Sequence, residues 1–469
     1  MKSKPGDIAE LRQSGYEPIP VKQELERNLI FAMENGEELF PGIVGYENTV
    51  IPQTINAILS HHDIVFLGEK GQAKTRMMRA LTRFLDKEIP AIADCEINDN
   101  PYDPICLNCR NKIKEEGGDV KIEWIDRTAR YGERLAPGTK IADLIGDLDP
   151  AKVAGGAPLA SEDALHFGLI PRLNRGIFAI NELPDLEYLI QVSLFNILEE
   201  RDVQIRGYPI RFPLDVALVF SANPEEYSRS GKIISQLKDR IGAEIRTHYP
   251  LSREVGLKII DQEAKIEAGN GRKVKAPDFM RDIVEQITMD ARVSPHVNQR
   301  SGVSARLSIT NYETMLANAR RRAIMLGETE IAPRMSDLNY LYTSSLGKIE
   351  MDPFREESLS DVQVITRIME SAVRKVFLER IGAANLDEMV EKIKGDVSVD
   401  TGDMTPSTDY RNVISRVTQL WEPVHSLGGD ESDAMRASCV EFILEGLYLT
   451  GKLSRRRIGD MVTYRGKTQ

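Results

Sequence analysis

The fold prediction begins with one stretch of the sequence, Asp63-Ile64-Val65-Phe66-Leu67-Gly68-Glu69-Lys70-Gly71-Gln72-Ala73-Lys74-Thr75. Its first residues form a short apolar run with the length of a buried strand, and residues from about 74 to 86 have the pattern of a helix. The segment from Gly68 to Thr75 therefore joins a strand to a helix, which is the context that a phosphate-binding loop requires.

In such a loop the backbone N–H groups point at the phosphates, so all eight residues from Gly68 to Thr75 are predicted to bind a nucleotide. Lys74 would reach the β- and γ-phosphates, and the Thr75 hydroxyl would bind Mg²⁺. Ala73 takes the place of the usual second glycine, and its methyl group is the smallest departure from glycine. The alternative is a strand–helix turn with an incidental Lys-Thr pair, which this context disfavours.

Segments near residues 121–126, 176–183, 216–222 and 243–248 are predicted to be strands, separated by helical or loop segments. Together with the strand before the loop, this alternation predicts an α/β domain with a mainly parallel sheet of five strands. Two stretches, about 88–120 and 130–172, interrupt the alternation and are interpreted as insertions. After Pro250 the pattern turns helical, and it stays mostly helical beyond about residue 351.

The 469-residue chain has 61 Lys and Arg against 72 Asp and Glu, a net charge of −11. This acidic balance disfavours nucleic acid or anionic membrane as the main partner, because both require a basic footprint. The four cysteines are too few for a disulfide scaffold, so a reducing, cytoplasmic setting is expected. No apolar run approaches the roughly 18 residues that cross a bilayer, and no signal peptide is recognised, so neither a membrane span nor secretion is predicted.

A second motif lies at the end of the predicted strand Gly176-Ile177-Phe178-Ala179-Ile180-Asn181-Glu182. P-loop ATPases place an acidic pair at this point, where the first residue steadies Mg²⁺ and its water and the second polarises the attacking water. Asn181 keeps an acceptor oxygen without a charge, and Glu182 occupies the catalytic position. The alternative is a buried strand with a polar end.

Two further polar sites follow. The strand Val216–Ala222 ends at Asn223, whose amide could hold the attacking water or sense the γ-phosphate, although many strands end in Asn-Pro. Arg240 and Arg246 come next, and arginines at this point can reach a neighbouring subunit's nucleotide and stabilise transition-state charge. The alternative for each arginine is a solvated position on the surface.

In their order along the chain these motifs resemble those of AAA+ ATPases. More narrowly, the segment from about Phe40 to Leu346 is similar to the ATPase (I) subunit of magnesium chelatase and its chelatase-like relatives, close to the MoxR group. The narrower resemblance rests on three segments: the opening motif Phe40–Glu47, the stretch 130–172 with Asp143–Asp149 and Gly168–Pro171, and a hairpin over Asp202–Pro213 with a turn at Gly207-Tyr208.

The resemblance implies roles for three residues. Asn223 matches sensor 1, Arg240 matches an arginine finger acting in trans, and Arg306 matches the lid arginine called sensor 2. A finger in trans implies a ring, and the resemblance makes it a hexamer that binds ATP and Mg²⁺ at sites between subunits. A partner of the von Willebrand A type is also implied.

The resulting domain prediction has four parts: an N-terminal helical extension (1–36), an AAA+ P-loop core with both insertions (37–250), an all-α lid (251–350), and a mostly helical segment without an assigned role (351–469). The predicted function is ATP hydrolysis in a ring, coupled to remodelling of a partner protein as in the chelatase I subunit. The alternatives are a MoxR-type chaperone for metal insertion or complex maturation, and an ATP-gated scaffold with little hydrolysis, which the uncharged Asn181 favours.

The cysteines form a separate candidate site. Cys106 and Cys109 make a C-x₂-C pair, and Cys95 lies eleven residues before Cys106. Three thiolates could hold Zn²⁺ if a fourth ligand came from elsewhere in the chain. Free thiols or a redox-labile pair are the alternatives.

Overall fold

The computed structural model describes residues 4–156, 158, 161–204, 211–229, 231–267, 269, 271–353, 359–382, 398–459 and 461–466. The chain divides into two compact units, Met1–His248 and Tyr249–Gln469. In the described parts, no helix combines the length and apolar character needed to span a membrane.

The first unit is built around a five-stranded sheet that is parallel throughout. Strands β1 to β11 of this unit are, in chain order, Ile64–Leu67, Glu88–Ile92, Ile122–Asp126, Tyr131–Leu135, Gly146–Leu148, Leu165–Phe167, Gly176–Asn181, Asp202–Gln204, Arg211–Pro213, Val216–Ala222 and Ala243–Arg246. The central sheet has the order β11-β1-β10-β7-β4, and β2–β3, β5–β6 and β8–β9 form antiparallel pairs. The predicted α/β core with a five-stranded parallel sheet is confirmed.

One strand of the central sheet differs from the prediction. Ile122–Asp126 is a strand, but it pairs antiparallel with β2 and lies outside the central sheet. The sheet instead contains Tyr131–Leu135, which composition assigns to the insertion at 130–172. This strand lies at the edge of the sheet, so it does not need the continuous apolar sequence that identifies the inner strands. The predicted hairpin is present as β8 and β9, and its turn at residues 207 and 208 lies outside the described residues.

Helices cover both faces of the sheet, which explains why its inner strands are apolar along their whole length. Helices α1 to α11 are Ile8–Gln13, Val21–Glu34, Val50–Leu59, Lys74–Ala80, Leu107–Glu116, Ile141–Leu144, Pro150–Ala154, Leu169–Arg172, Tyr188–Glu200, Pro224–Ser228 and Ser235–Arg240. Phe66 and Ile177 pack in one core with α2, α3 and α4, whereas Val65 and Phe178 pack in the opposite core with α9.

The N-terminal segment is tied to the sheet by a buried ion pair. The Glu24 carboxylate on α2 accepts hydrogen bonds from Arg130 Nη1 at 2.8 Å and Nη2 at 2.5 Å. Both side chains are almost fully buried, with exposures of 3% and 1%. Arg130 precedes β4 directly and also donates to the backbone oxygen of Arg175 at 2.8 Å, just before β7. The pair therefore joins α2 to the residues that come directly before β4 and β7.

The second unit is mostly helical in its described residues. Helices α12 to α20 are Arg253–Glu263, Asp278–Val293, Arg306–Met325, Met335–Leu338, Leu341–Ser345, Asp361–Ile381, Tyr410–Arg416, Trp421–Ser426 and Asp433–Leu449. Phe279 stacks on Phe442 with ring centroids 4.2 Å apart, and Phe377 meets Phe442 edge-on. A single core thus runs across residue 350, and the domain boundary placed there stays a prediction.

The second unit also contains strands that the helical pattern does not predict. Strands β12 to β16 are Lys273–Val274, Glu330–Ile331, Ser398–Gly402, Leu453–Ile458 and Met461–Gly466. The last three form an antiparallel sheet in the order β14-β16-β15. The centre of β15 reads Arg455-Arg456-Arg457, and such a run has neither the alternation nor the apolar content by which strands are recognised.

Candidate functional site

The predicted phosphate-binding loop lies at the carboxyl end of β1, in the middle of the sheet. Its first residue, Gly68, donates its N–H to the Ala222 carbonyl of β10 at 3.0 Å. Gly71 and Ala73 both have positive φ angles, 76° and 54°, and Lys74 begins α4 directly after Ala73. Ala73 therefore adopts a left-handed conformation that favours glycine, which explains why glycine is usual at this position.

Buried side chains hold the loop in place through hydrogen bonds. Gln72 Oε1 accepts hydrogen bonds from the Glu69 N–H at 3.0 Å and from the Thr247 hydroxyl at 2.8 Å. A Cβ on Gly68 would lie 1.8 Å from Thr247 Oγ1, so only glycine fits there. The Tyr46 hydroxyl lies 2.7 Å from the Gln72 carbonyl, which connects the opening motif to the loop.

Lys74 folds back over the loop. Its Nζ donates to the carbonyl oxygens of Gly68 at 2.5 Å and Glu69 at 2.8 Å. Burial lowers the pKa of Lys74 to about 8, against the opposing charges of Glu182 and Glu69. The Lys74 ammonium group is thus poorly solvated. Its partners are two backbone carbonyls, which a phosphate group would replace.

The Asn181 amide at the end of β7 contacts the loop and two other strands, β10 and β4. Asn181 Oδ1 accepts hydrogen bonds from Thr75 Oγ1 at 3.0 Å and from Ser221 Oγ at 2.9 Å. Asn181 Nδ2 donates to Glu133 Oε1 at 2.7 Å. Since the carboxylate can only accept, Glu133 fixes which side of the amide faces the loop. The Thr75 hydroxyl of the loop and the polar end of β7 are therefore brought together.

Glu133, on the edge strand β4, carries a carboxylate next to the uncharged Asn181. Arg79 binds this carboxylate through Nε at 2.8 Å and Nη2 at 3.2 Å, and the Tyr131 hydroxyl donates to it at 3.0 Å. Partial burial opposes ionisation, but the donors Arg79 and Tyr131 hold the pKa of Glu133 below its usual value. Sequence reasoning missed this residue, because its strand was not recognised as part of the sheet.

Glu182 follows β7 and has a left-handed backbone, with φ of 60°. A left-handed backbone at a non-glycine residue lowers the stability of the fold by about 1 kcal/mol or more. Such strain is concentrated at functional sites. Its side chain is exposed, and its negative charge partly opposes the lowering of the Lys74 pKa by burial. The structure therefore places Glu182 at the same edge of the sheet as the loop.

The other predicted residues are placed as follows. Asn223 caps α10, with its Oδ1 accepting the Glu225 N–H at 3.1 Å. Arg240 ends α11 and donates to Glu199 Oε1 of the same chain at 2.9 Å. Arg306 is the exposed first residue of α14 in the second unit. Their roles as sensor 1, arginine finger and sensor 2 stay predictions.

The cysteine residues of the first unit are also brought together. The sulfur atoms of Cys95, Cys106 and Cys109 and a carboxylate oxygen of Asp99 lie within 4.8 Å of one another. Asp99 was missed by sequence reasoning, because three acidic residues lie between Cys95 and Cys106 and spacing alone does not single out one of them. Cys439 lies buried in the second unit.

Comparisons with known proteins give likenesses among solved structures. Scans against models of protein families and against curated proteins found no match. NtrX from Brucella abortus shares 14% identity, with 82% of this chain and 72% of that chain covered and a TM-score of 0.40. The BchI–BchD complex of magnesium chelatase shares 22% identity, with 69% and 99% covered and a TM-score of 0.36. RuvB from Thermotoga maritima shares 13% identity, with 95% and 91% covered and a TM-score of 0.33.

The arrangement around Asn181 predicts that an aspartate at this position is unfavourable while Glu133 is present. Asn181→Asp would put two carboxylates at hydrogen-bond distance, so we expect about 1–3 kcal/mol lower stability of the nucleotide-free chain. The second change Glu133→Gln should restore most of it, because an amide can donate to the new carboxylate. Urea unfolding in a Trp421→Phe background, followed through Trp124 fluorescence, measures the first unit in this double-mutant cycle. A coupling energy near zero would contradict this account of the site.

The pKa of Lys74 predicts a pH dependence of nucleotide binding. A bound phosphate keeps the lysine proton, whereas the free site loses it above the pKa of about 8, so binding weakens as pH rises. We expect about tenfold weaker ATP binding at about pH 9 than at about pH 7. Isothermal titration at both pH values measures this, with Lys74→Arg as the control that keeps its charge. Equal pH dependence in the two proteins would assign the effect to another group.

Proposed function

We propose that this chain is an ATPase of the AAA+ type, which binds Mg-ATP at residues 68–75 and hydrolyses it. The observation that carries the proposal is the contact between the Thr75 hydroxyl of the loop and Asn181 at the end of β7, with Lys74 and Glu182 beside them. A strand–helix turn with an incidental Lys-Thr pair would not require these contacts with the next strands.

The residues present suit a magnesium nucleotide. Thr75 Oγ1, Asn181 Oδ1 and the Glu133 carboxylate are oxygen donors, which Mg²⁺ prefers. When bound, Mg²⁺ neutralises charge on the phosphate oxygens. Lys74 leaves the carbonyls of Gly68 and Glu69 and binds the β- and γ-phosphates, and the backbone N–H groups of the loop bind the remaining phosphate oxygens.

Hydrolysis then depends on Glu182 and on charge stabilisation. Glu182 polarises the attacking water, and its exposed position leaves room for that water. Lys74 and Arg240 of a neighbouring subunit stabilise the charge that develops on the phosphoryl group. Asn223 and Arg306 couple the state of the γ-phosphate to movement of the lid. For Arg240 to act in this way it must exchange Glu199 for the neighbour's nucleotide.

The wider proposal is a cytoplasmic homo-oligomeric ring, a hexamer, that uses ATP to remodel a protein client. The supporting resemblance is to the magnesium chelatase I subunit, and it points to a partner of the von Willebrand A type. A MoxR-type chaperone for metal insertion or complex maturation is the alternative within this class. Metal-insertion assays with candidate partners separate these two functions.

A second candidate function is an ATP-gated scaffold that scarcely hydrolyses ATP. The observation that favours it is the replacement of the usual charge by Asn181, together with the ion pair that already neutralises Glu133. In this function ATP would close the ring without rapid turnover. Steady-state hydrolysis measured at protein concentrations that permit ring formation distinguishes motor from scaffold.

Substitutions at Lys74 and Glu182 test the catalytic assignment. Lys74→Ala removes the phosphate-binding charge, and we expect at least about tenfold weaker ATP binding. Glu182→Gln should still bind ATP but lower kcat by about 10²- to 10⁴-fold, because the amide cannot take up a proton from the water. Binding and steady-state hydrolysis are measured on the same preparations, with the exposed Glu187→Gln as the matched control. Turnover by Glu182→Gln at the unaltered rate would refute the assignment, and slow turnover by the unaltered protein would favour the scaffold.

A further inference from the structure

We infer that Cys95, Asp99, Cys106 and Cys109 form a structural zinc site in the first unit, with Asp99 as the fourth ligand. This site is separate from the nucleotide loop, and its argument does not depend on ATP binding or hydrolysis. The four ligand atoms lie within 4.8 Å of one another, close enough to converge on one tetrahedral ion.

The local fold gathers these residues from two short segments. Cys95 and Asp99 lie in the connection that follows β2, and Cys106 caps the start of α5, with Cys109 in its first turn. The Cys109 N–H donates to Cys106 Sγ at 3.3 Å, and the Asp99 N–H donates to Cys95 Sγ at 3.4 Å. N–H donors of this kind stabilise thiolate ligands and fix their orientation.

The position of Asp99 distinguishes this cluster from three cysteines in an apolar core. Asp99 is fully buried, and its two carboxylate oxygens accept the N–H groups of Ile105 at 3.1 Å and Cys106 at 3.0 Å. These bonds leave a lone pair free on each oxygen, and a carboxylate oxygen lies within 4.8 Å of the sulfur atoms. No salt bridge from a basic side chain to Asp99 is found among the described residues. Burying a carboxylate beside three thiols without a cation is unfavourable, and a divalent ion would compensate it.

The donor set selects the ion. Three soft thiolates and one carboxylate suit Zn²⁺ and exclude Mg²⁺ and Ca²⁺, which require oxygen ligands. Four protein ligands leave no open position, so the site is structural rather than catalytic. Cys106 and Cys109 are 5% and 0% exposed, which fits an ion enclosed by protein.

The segment that carries the proposed ligands forms hydrogen bonds and ion pairs with another segment of the same unit. Asn98 Nδ2 donates to the Arg172 carbonyl at 2.8 Å, and the Leu107 N–H donates to Glu162 at 2.7 Å. Glu96 forms ion pairs with Lys152 at 3.5 Å and Arg172 at 3.8 Å. A bound ion would therefore hold the residues between β2 and α5 in the conformation that contacts the segment between β4 and β7.

Zinc content is the direct test. The full chain, purified under reducing conditions from zinc-supplemented medium, should contain about one zinc per chain by elemental analysis. Cys106→Ser should contain at least about tenfold less, while Cys439→Ser, which alters the buried cysteine of the second unit, should keep the full amount. Substoichiometric zinc in the unaltered chain, iron in its place, or a Cys106–Cys109 disulfide in the reduced preparation would overturn the proposal.

A second measurement separates loss of ligand from loss of fold. The unaltered chain, stripped of metal and titrated with Co²⁺, should develop the visible bands of tetrahedral cobalt and a sulfur-to-cobalt charge-transfer band. Asp99→Asn, with its circular dichroism unchanged, should shift these bands and weaken the metal about 10- to 100-fold. Identical bands and affinity in Asp99→Asn would overturn the assignment of Asp99 as a ligand. Absence of tetrahedral bands in the unaltered chain would overturn the site.

Discussion

One buried amide, that of Asn181, sets the geometry on which the candidate site depends. It accepts hydrogen bonds from Thr75 of the loop and Ser221 of β10, and it donates to Glu133 of β4. An amide can satisfy all three partners, because it accepts on one side and donates on the other. An apolar side chain would leave buried polar groups unpaired, which costs about 1–3 kcal/mol for each group. The Asn181 side chain thus links the loop to three strands of the sheet.

This arrangement changes the meaning of the uncharged residue at position 181. The negative charge expected beside the loop threonine is present, but it lies one strand further along the sheet, on Glu133. There it binds Arg79, whose side chain is 64% exposed. In the proposed function, the charge available to Mg²⁺ would depend on how strongly Arg79 holds Glu133. The motor and scaffold proposals differ in this balance, although both use the same loop.

The sequence allowed prediction of those parts of the fold in which burial forces a continuous apolar run. The strands Ile64–Leu67, Gly176–Asn181 and Val216–Ala222 lie inside the sheet and were recognised for this reason. Tyr131–Leu135 lies at the edge and was missed, and Glu133 was missed with it. Asp99 was missed because its contacts with the cysteines arise from loop conformation, which spacing alone does not determine. Residues adjacent in the motifs were predictable, whereas partners from other strands and loops were not.

The proposed ATPase has a site that a neighbouring subunit completes, and mixing two inactive variants tests this claim. Arg240→Ala keeps its own loop and Glu182, whereas Glu182→Gln keeps the arginine. Each alone should hydrolyse ATP at least about 10²-fold more slowly than the unaltered chain. An equal mixture should recover about a quarter of the unaltered rate, because each active interface needs one chain of each kind in a fixed order. No recovery in mixed assemblies, or full activity of Arg240→Ala alone, would contradict the claim and leave Arg240 as a partner of Glu199 within its own chain.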